Sequence, residues 1–176
     1  MYHAIIFMDV LDVIQLGECY PSVEIIAKLS GLRNAAASMI DWLEGMLHPD
    51  GDIAFFNDAA FGVVPRPVDI IEYANKSNVV RSSVDPVTSH YDASGYIALR
   101  QHNQVALLDV AAIGPDYIPG HAHADTLSFE WSLFGQRVLV NSGTSEYGVS
   151  KERLRQRGTA AHNTVLVNGE NSLEVW

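Results

Sequence analysis

The pattern of apolar residues changes once, near residue 79, and that change limits the folds that the chain can adopt. Before this point apolar residues recur at helical spacing, and after it short apolar runs are bounded by Gly, Asn, Asp or Pro. Helices followed by a run of strands are typical of α+β proteins with two modules. The sequence therefore predicts a helical module at 1–78 and a β module at 79–176.

Four helical segments are expected in the first module. The first, at 2–16, is apolar except for a narrow stripe formed by Asp9, Asp12 and Gln15. A helix this apolar is normally packed between other elements, so it needs neighbours. The other three helical segments are expected at 21–31, 32–47 and 67–76.

The second module should consist of short strands. Residues 126–134 alternate well, with apolar side chains at every second position, which predicts a half-buried strand. Four more segments have strand texture and turn residues at their ends. They lie at 94–101, 104–113, 136–143 and 162–169.

Composition excludes several classes of function. A formal net charge of −10 argues against general nucleic-acid binding, which needs a basic patch. The single cysteine, Cys19, rules out a disulfide framework. The first residues carry no Lys or Arg ahead of their apolar run, so we expect no secretory signal in this chain, and no stretch is long and apolar enough to span a bilayer.

The densest group of chemically active residues is the run from His121 to Asp125. If this run is extended, His121, His123 and Asp125 project to one face. Two imidazoles and a carboxylate can form a metal site or an acid–base site, and the plain alternative is a polar loop with solvated histidines. A binuclear metallo-hydrolase pattern is disfavoured, because it needs a histidine where this chain has Thr126.

Weaker signals lie further along the chain. His162 opens an apolar run and Asn141 ends another, and polar residues at such boundaries are common. A set of cations follows at every second position, and one face of an extended segment could present them to carboxylates or sulfates. A solvated loop is the alternative, and a helix would separate them. These cations are Lys151, Arg153, Arg155 and Arg157.

Several strings in the sequence resemble the heparinase II/III-like lyases. They are PGHAHADTLSFEWSLFGQRVLVNSGTSEYG at 119–148, RQRGTAAHNTVLVNG at 155–169, LHPDGDIAFFNDAAFG at 47–62, and the pair Tyr2-His3. The resemblance covers nearly the whole chain, and the segment from 119 to 165 is its most specific part.

The resemblance implies a fold for each module. Residues 1–78 would be the last helices of an incomplete (α/α) toroid, and residues 79–176 the start of an antiparallel β-sandwich domain, so both parts would be truncated. A fragment of this kind would explain why the first helix is so apolar, since its packing partners would lie upstream.

The resemblance also implies a reaction, the β-elimination of a uronic-acid-containing polysaccharide such as a glycosaminoglycan or alginate. Tyr2 and His121 match the proton-transfer groups of the family, and His3 matches an adjacent histidine of its active site. The family's carboxylate-neutralising residue would lie upstream of this chain. We expect Arg153, Arg155 and Arg157 to contact the acidic substrate.

Finally, the resemblance implies a structural divalent metal, which could be Zn, Ca or Mn. Its ligands map to His123, Asn141 and His162, and the neutral amide of Asn141 replaces a carboxylate, which weakens the predicted affinity. Family members are generally periplasmic, so the resemblance implies the periplasm or cell envelope. The alternative function is a catalytically inactive, truncated or divergent carbohydrate-binding remnant, which the negative charge favours.

Overall fold

The computed structural model describes residues 1–79, 81, 87–114, 117 and 119–174. These residues form four α-helices and one five-stranded antiparallel sheet, so the predicted α+β class is confirmed. The chain divides into two compact units, Met1–Gly45 with Phe61–Val84 and Met46–Ala60 with Asp85–Trp176. Sequence analysis divides the chain once, whereas in the structure residues 46–60 belong with the strands.

The first unit contains α1 (Tyr2–Cys19), α2 (Val23–Gly45) and α3 (Pro67–Lys76). Helix α3 has the predicted bounds. The prediction of two helices at 21–31 and 32–47 is wrong, because α2 runs through Gly31 without a break. One glycine inside a helix costs only about 1 kcal/mol, which the rest of α2 tolerates. No helix in the described part of the chain could cross a membrane.

The polar stripe of α1 is used in contacts with α3 and the residue that follows it. Asp12 accepts a hydrogen bond from Tyr73 Oη at 2.7 Å, and Gln15 Nε2 donates to Ser77 Oγ at 3.0 Å. Ser77 itself is completely buried. The stripe is therefore part of the packing of the first unit. The completely buried large side chains of α1 are Phe7, Leu11 and Ile14.

The second unit is built on a five-stranded meander in which sequence order is also spatial order. In the sheet register Ala98 faces Leu107, and Leu107 faces Glu130, so these three side chains share one face. The strands are β1 (Thr88–Tyr91), β2 (Tyr96–Gln101), β3 (Gln104–Asp109), β4 (Phe129–Leu133) and β5 (Gln136–Leu139).

The covered face at β4 is the polar one. Ser128, Glu130 and Ser132 are completely buried, whereas Phe129 and Trp131 on the other face are partly exposed. The alternation predicted a half-buried strand, but hydrophobicity does not identify which side is covered. The polar side is covered by residues 46–60, which we call the strap.

Glu130 is the main anchor of the strap. One of its carboxylate oxygens lies 2.7 Å from His48 Nε2, and the other accepts hydrogen bonds from the backbone N–H groups of Phe55, at 2.9 Å, and Asn141, at 3.0 Å. The Nδ1 atom of His48 lies 2.7 Å from Ser132 Oγ. A buried carboxylate is stabilised by hydrogen-bond donors, and here the strap supplies two of them.

Strands on both sides of β4 hold the strap through arginines. Arg100 of β2 donates to the carbonyl oxygen of Leu47 at 2.8 Å, and Arg137 of β5 donates to that of Ile53 at 2.9 Å. Arg137 also forms a two-bond pair with the Asp50 carboxylate, at 2.7 and 3.0 Å. Because the strap bonds to both sides of β4 as well as to β4 itself, its path over the sheet is tightly fixed.

The strand predicted at 162–169 is wrong. Polar side chains of this segment bond instead to the backbone at the start of β4 and just before it: Asn163 Nδ2 donates to the carbonyl oxygen of Phe129 at 3.0 Å, and Thr164 Oγ1 donates to that of Thr126 at 2.7 Å. Side-chain-to-backbone hydrogen bonds of this kind compete with a strand ladder. Apolar alternation alone could not have revealed that competition.

The anchor role of Glu130 predicts a localised loss of stability. Replacing Glu130 with Ala would leave two backbone N–H groups and His48 without their acceptor, which should destabilise the second unit by about 3 kcal/mol or more. The measurement is amide hydrogen exchange in β3 and β4. Glu152→Ala removes an exposed carboxylate and serves as the control. Equal protection of the strand amides in the two variants would refute the anchor role.

Candidate functional site

Asp58, near the end of the strap, is the centre of the polar cluster in the second unit. Its carboxylate is completely buried. Oδ2 lies 2.7 Å from His121 Nδ1 and accepts from Arg153 Nη2 at 2.9 Å. Oδ1 lies 2.9 Å from His123 Nε2, accepts from Thr144 Oγ1 at 3.1 Å, and bonds to Arg153 Nη1. One carboxylate thus joins four side chains from three other segments.

The charge of Asp58 follows from these contacts. Burial alone would raise the pKa of Asp58, but the hydrogen bonds from His123, Arg153 and His121 outweigh burial and hold its pKa well below the usual range. The carboxylate is therefore ionised, and the Arg153 guanidinium is its charge partner. Sequence analysis missed Asp58, although it lies in one of the strings that carry the family resemblance.

Gly143 allows Thr144 to reach this cluster. Its φ of 62° is in the left-handed region, and a Cβ atom at this position would lie 2.6 Å from the carbonyl oxygen of Ala59. The same carbonyl oxygen accepts a hydrogen bond from the Thr144 N–H at 3.1 Å. A glycine is therefore required where the turn after β5 meets the strap.

His121 is the member of the cluster that is open to solvent. Its side chain is 61% exposed, whereas that of His123 is completely buried. The His121 ring stands edge-on to Tyr147 at 6.2 Å between centroids, and the Arg153 guanidinium lies over the same Tyr147 ring at 5.3 Å. The exposed imidazole therefore contacts an aromatic ring on one side and a buried carboxylate through its Nδ1 atom.

His123 faces a second histidine. Its Nδ1 lies 3.2 Å from His162 Nε2. Burial lowers the pKa of His123, and burial together with the nearby His123 lowers the pKa of His162 to about 4. Both rings are therefore neutral near pH 7, and a neutral imidazole nitrogen can bind a metal.

Asn141 is less suited to metal binding. Its Oδ1 accepts a hydrogen bond from the Asn163 N–H at 3.0 Å, and its buried Nδ2 has no hydrogen-bond partner among the described residues. Within the described residues, no three His, Cys, Asp or Glu side chains are arranged to hold a metal ion. The predicted ligand set therefore offers two imidazole nitrogens and an amide oxygen that already accepts a hydrogen bond.

The four cations lie on a helix, α4 (Lys151–Arg157), so they do not share one face as an extended segment would allow. Ser150 caps the helix by accepting the Arg153 N–H at 2.9 Å, a start signal that the sequence carries. Arg157 is buried and donates to the carbonyl oxygens of Ala122 and Pro119, both at 2.8 Å.

Only one of the three predicted substrate-binding arginines has an exposed guanidinium. Arg155 is exposed and pairs with Glu152 at 2.6 Å. Arg153 is buried against Asp58 and also donates to the carbonyl oxygen of Gly120 at 3.3 Å. Together with Arg157, Arg153 fixes the loop that carries His121 and His123.

Tyr2 and His3 lie at the start of α1, in the first unit. Tyr2 is exposed. His3 is partly buried, with Nε2 2.9 Å from the carbonyl oxygen of Met39 and its ring 4.3 Å from that of Trp42 between centroids. Burial lowers the pKa of His3.

A comparison with protein families decides the affiliation of the chain. A family model described as heparinase II/III-like, C-terminal, matches residues 85–176, which is more than half of the sequence. The chain belongs to the heparinase II/III-like family. A search of curated proteins found no match.

Solved structures of heparinase II/III-like proteins share the fold. A heparinase III crystal structure has a TM-score of 0.76 at 18% identity, over 97% of this chain and 31% of that one. A heparan sulfate lyase, HepC from Pedobacter heparinus, has a TM-score of 0.72 at 18% identity, over 97% and 29%. A heparinase III, the BT4657 gene product, has a TM-score of 0.69 at 17% identity, over 97% and 29%.

These identities establish likeness of fold alone. The chain spans about 30% of the length of the solved structures that it matches.

This heparinase II/III-like chain also buries two carboxylates beside the cluster. Burial raises the pKa of Asp109 to about 6, and burial together with the nearby Asp109 raises the pKa of Asp125 to about 7. Asp109 accepts a hydrogen bond from the Ala111 N–H at 3.0 Å. The run from His121 to Asp125 forms no strand, and Asp125 is coupled electrostatically to Asp109.

The raised pKa of Asp109 predicts a pH dependence of stability. An unfolded aspartate releases its proton near pH 4, whereas folded Asp109 keeps it until about pH 6. The folded state binds more protons in this window, so stability falls as the pH rises through it. Between about pH 4 and pH 7, we expect the free energy of unfolding of Asp109→Asn to fall by about 1–3 kcal/mol less than that of the wild type.

Urea denaturation at several pH values provides the measurement. Asp92→Asn, at a highly exposed carboxylate, is the control and should leave the pH dependence unchanged. An Asp109→Asn profile parallel to that of the wild type would contradict the assignment.

Proposed function

We propose that this chain supplies part of the active site of a polysaccharide lyase that cleaves uronic-acid-containing chains by β-elimination. The observation that carries the proposal is the exposed imidazole of His121, with its Nδ1 held 2.7 Å from the buried, ionised carboxylate of Asp58. A neighbouring carboxylate keeps an imidazole in one orientation, in which it can exchange a proton with a substrate. Membership of the heparinase II/III-like family supports the same class of reaction.

β-Elimination at a uronic acid needs three tasks done. One group neutralises the substrate carboxylate, a base removes the C5 proton, and an acid protonates the departing O4. We assign proton transfer to His121 and Tyr2, with His3 as a third group beside Tyr2 on α1. The group that neutralises the substrate carboxylate is not assigned within this chain.

An acidic polysaccharide, a glycosaminoglycan or alginate, is the proposed substrate. A formal net charge of −10 provides no general attraction for a polyanion, so recognition must depend on local groups. Arg155 is the predicted cation with an exposed guanidinium, and Arg153 and Arg157 support the site by fixing the histidine loop. The family resemblance supports the periplasm or cell envelope as the location.

The lyase proposal extends to a larger fold. We propose that α1, α2 and α3 are the last helices of an incomplete (α/α) toroid and that the meander begins a β-sandwich domain. About half or more of each of the apolar side chains Ile6, Val13 and Leu16 of α1 is exposed. Further toroid helices would bury these side chains, which favours the larger assembly.

The second candidate function is carbohydrate binding without catalysis. The net negative charge and the internal use of two of the three predicted arginines favour it. The two functions differ in their product: a lyase generates an unsaturated sugar that absorbs ultraviolet light, and a binding module retains the glycan without producing one.

A structural divalent metal, Zn, Ca or Mn, is proposed at His123 and His162, with Asn141 as a weak third ligand. The neutral imidazole nitrogens, 3.2 Å apart, suit this role, and the buried Asn141 Nδ2, which lacks a hydrogen-bond partner in the described part of the chain, marks an imperfect polar site. The metal would stabilise the loops that carry these residues.

The metal proposal predicts the effect of restoring a carboxylate. Asn141→Asp should tighten metal binding by about tenfold or more, because a charged oxygen replaces a neutral one. Metal content and thermal stability with added zinc are the measurements, and His123→Ala in the same background should remove the gain. Absence of metal from both wild type and Asn141→Asp would exclude the site.

The lyase proposal predicts the effect of removing each proton-transfer group. Within a complete lyase chain, Tyr2→Phe and His121→Ala should each lower turnover by on the order of 100-fold or more. Absorbance of the unsaturated product is the measurement, and His102→Ala, at an exposed turn histidine, is the matched control. Near-normal turnover in both variants would exclude the assignment, and glycan binding without product from any form would favour the second function.

A further inference from the structure

The contacts of Asp58 constrain where the protons of two histidines lie. An ionised carboxylate only accepts hydrogen bonds, so every group bonded to it must be a donor. Arg153 contributes both of its terminal nitrogens to this carboxylate, and Thr144 contributes a hydroxyl. A guanidinium has no acceptor, so the carboxylate must remain an anion to satisfy it.

The two histidines bond to this anion through different ring atoms. His121 approaches Oδ2 with Nδ1 at 2.7 Å, and His123 approaches Oδ1 with Nε2 at 2.9 Å. A neutral imidazole carries one proton, on one of its two nitrogens. We propose that Asp58 fixes the two histidines in opposite tautomers, with the proton of His121 on Nδ1 and that of His123 on Nε2.

This arrangement determines what each ring can do. With Nδ1 protonated, His121 carries its lone pair on Nε2, in a side chain that is 61% exposed. Nε2 is then the atom that accepts a substrate proton, a role that rests on the proposed lyase function. Asp58 does not touch the substrate, so it is a positioning residue.

At His123 the lone pair lies on Nδ1, which faces His162 Nε2 at 3.2 Å. That nitrogen can accept a hydrogen bond or bind a metal, but it is buried and cannot meet a substrate. A single carboxylate therefore gives the two histidines of one His-Ala-His run different roles. The difference comes from which ring atom faces Asp58 and not from their spacing in the sequence.

The test is a long-range ¹H–¹⁵N NMR spectrum of the full ¹⁵N-labelled chain at about pH 8, where imidazoles are ordinarily neutral. His121→Gln and His123→Gln assign the signals. We expect His121 to show a protonated Nδ1 and an unprotonated Nε2, and His123 the reverse. Both rings protonated on the same nitrogen, or both averaging between tautomers, would overturn the proposal.

His90 is a matched reference within the same spectrum. Its Nδ1 lies 2.8 Å from the Asp92 carboxylate, but the two side chains are 56% and 84% exposed. An exposed pair of this kind is weakly held, so its ring should average between tautomers. If His121 averaged between tautomers as His90 does, the buried Asp58 carboxylate would not fix the tautomer of His121.

The Asp58→Asn variant adds a second test, because an amide accepts at its oxygen but donates at its nitrogen. At least one of the two rings must then present a lone pair to position 58, so at least one tautomer should change. Unchanged tautomers in a folded Asp58→Asn variant would overturn the proposal, with Asp92→Asn as the control. If Asp58→Asn does not fold, the wild-type spectrum still decides.

The outcome is separable from that of the proposed function. Opposite tautomers in a protein whose His121→Ala variant keeps its turnover would leave the inference intact and exclude the lyase assignment. If both histidines had the same tautomer and His121→Ala lost most of its turnover, the inference would be excluded and the lyase assignment would stand.

Discussion

The pairing of Asp58 with Arg153 is the interaction on which the second unit depends. Both side chains are buried, and a buried charge is strongly destabilising unless it is paired and fully hydrogen-bonded. The pair joins the strap to α4, and α4 holds the loop of His121 and His123 through Arg157. The geometry of the candidate site is therefore a consequence of satisfying one buried carboxylate.

Much of the chemistry could be read from the sequence, but its centre could not. The His-Ala-His run is visible as a dense local motif, and α3 and strands β2 to β5 follow from periodicity and turn residues. Asp58 lies 63 residues from His121 and 95 from Arg153. No local pattern connects residues at such separations, and a lone aspartate among apolar residues carries no mark of its partners.

The elements that sequence analysis missed have a common cause. Residues 162–169 alternate like a strand, yet the side chains of Asn163 and Thr164 bond to the backbone of Phe129 and Thr126 instead of forming a ladder. The arginines of α4 have a spacing that suits an extended face, yet Ser150 caps a helix there. In both cases a side-chain hydrogen bond to the backbone decided the local structure, and periodicity does not record such bonds.

The strap shows why the boundary between the two units cannot be drawn at one residue. The face of β4 that carries Glu130 is polar, so only a segment with matching donors can cover it. Residues 46–60 provide those donors and also bring Asp58 to His121, although the family match begins at residue 85. Because the covering segment and the acidic centre of the site are the same piece of chain, selection for a stable sheet and selection for a positioned histidine act on one sequence.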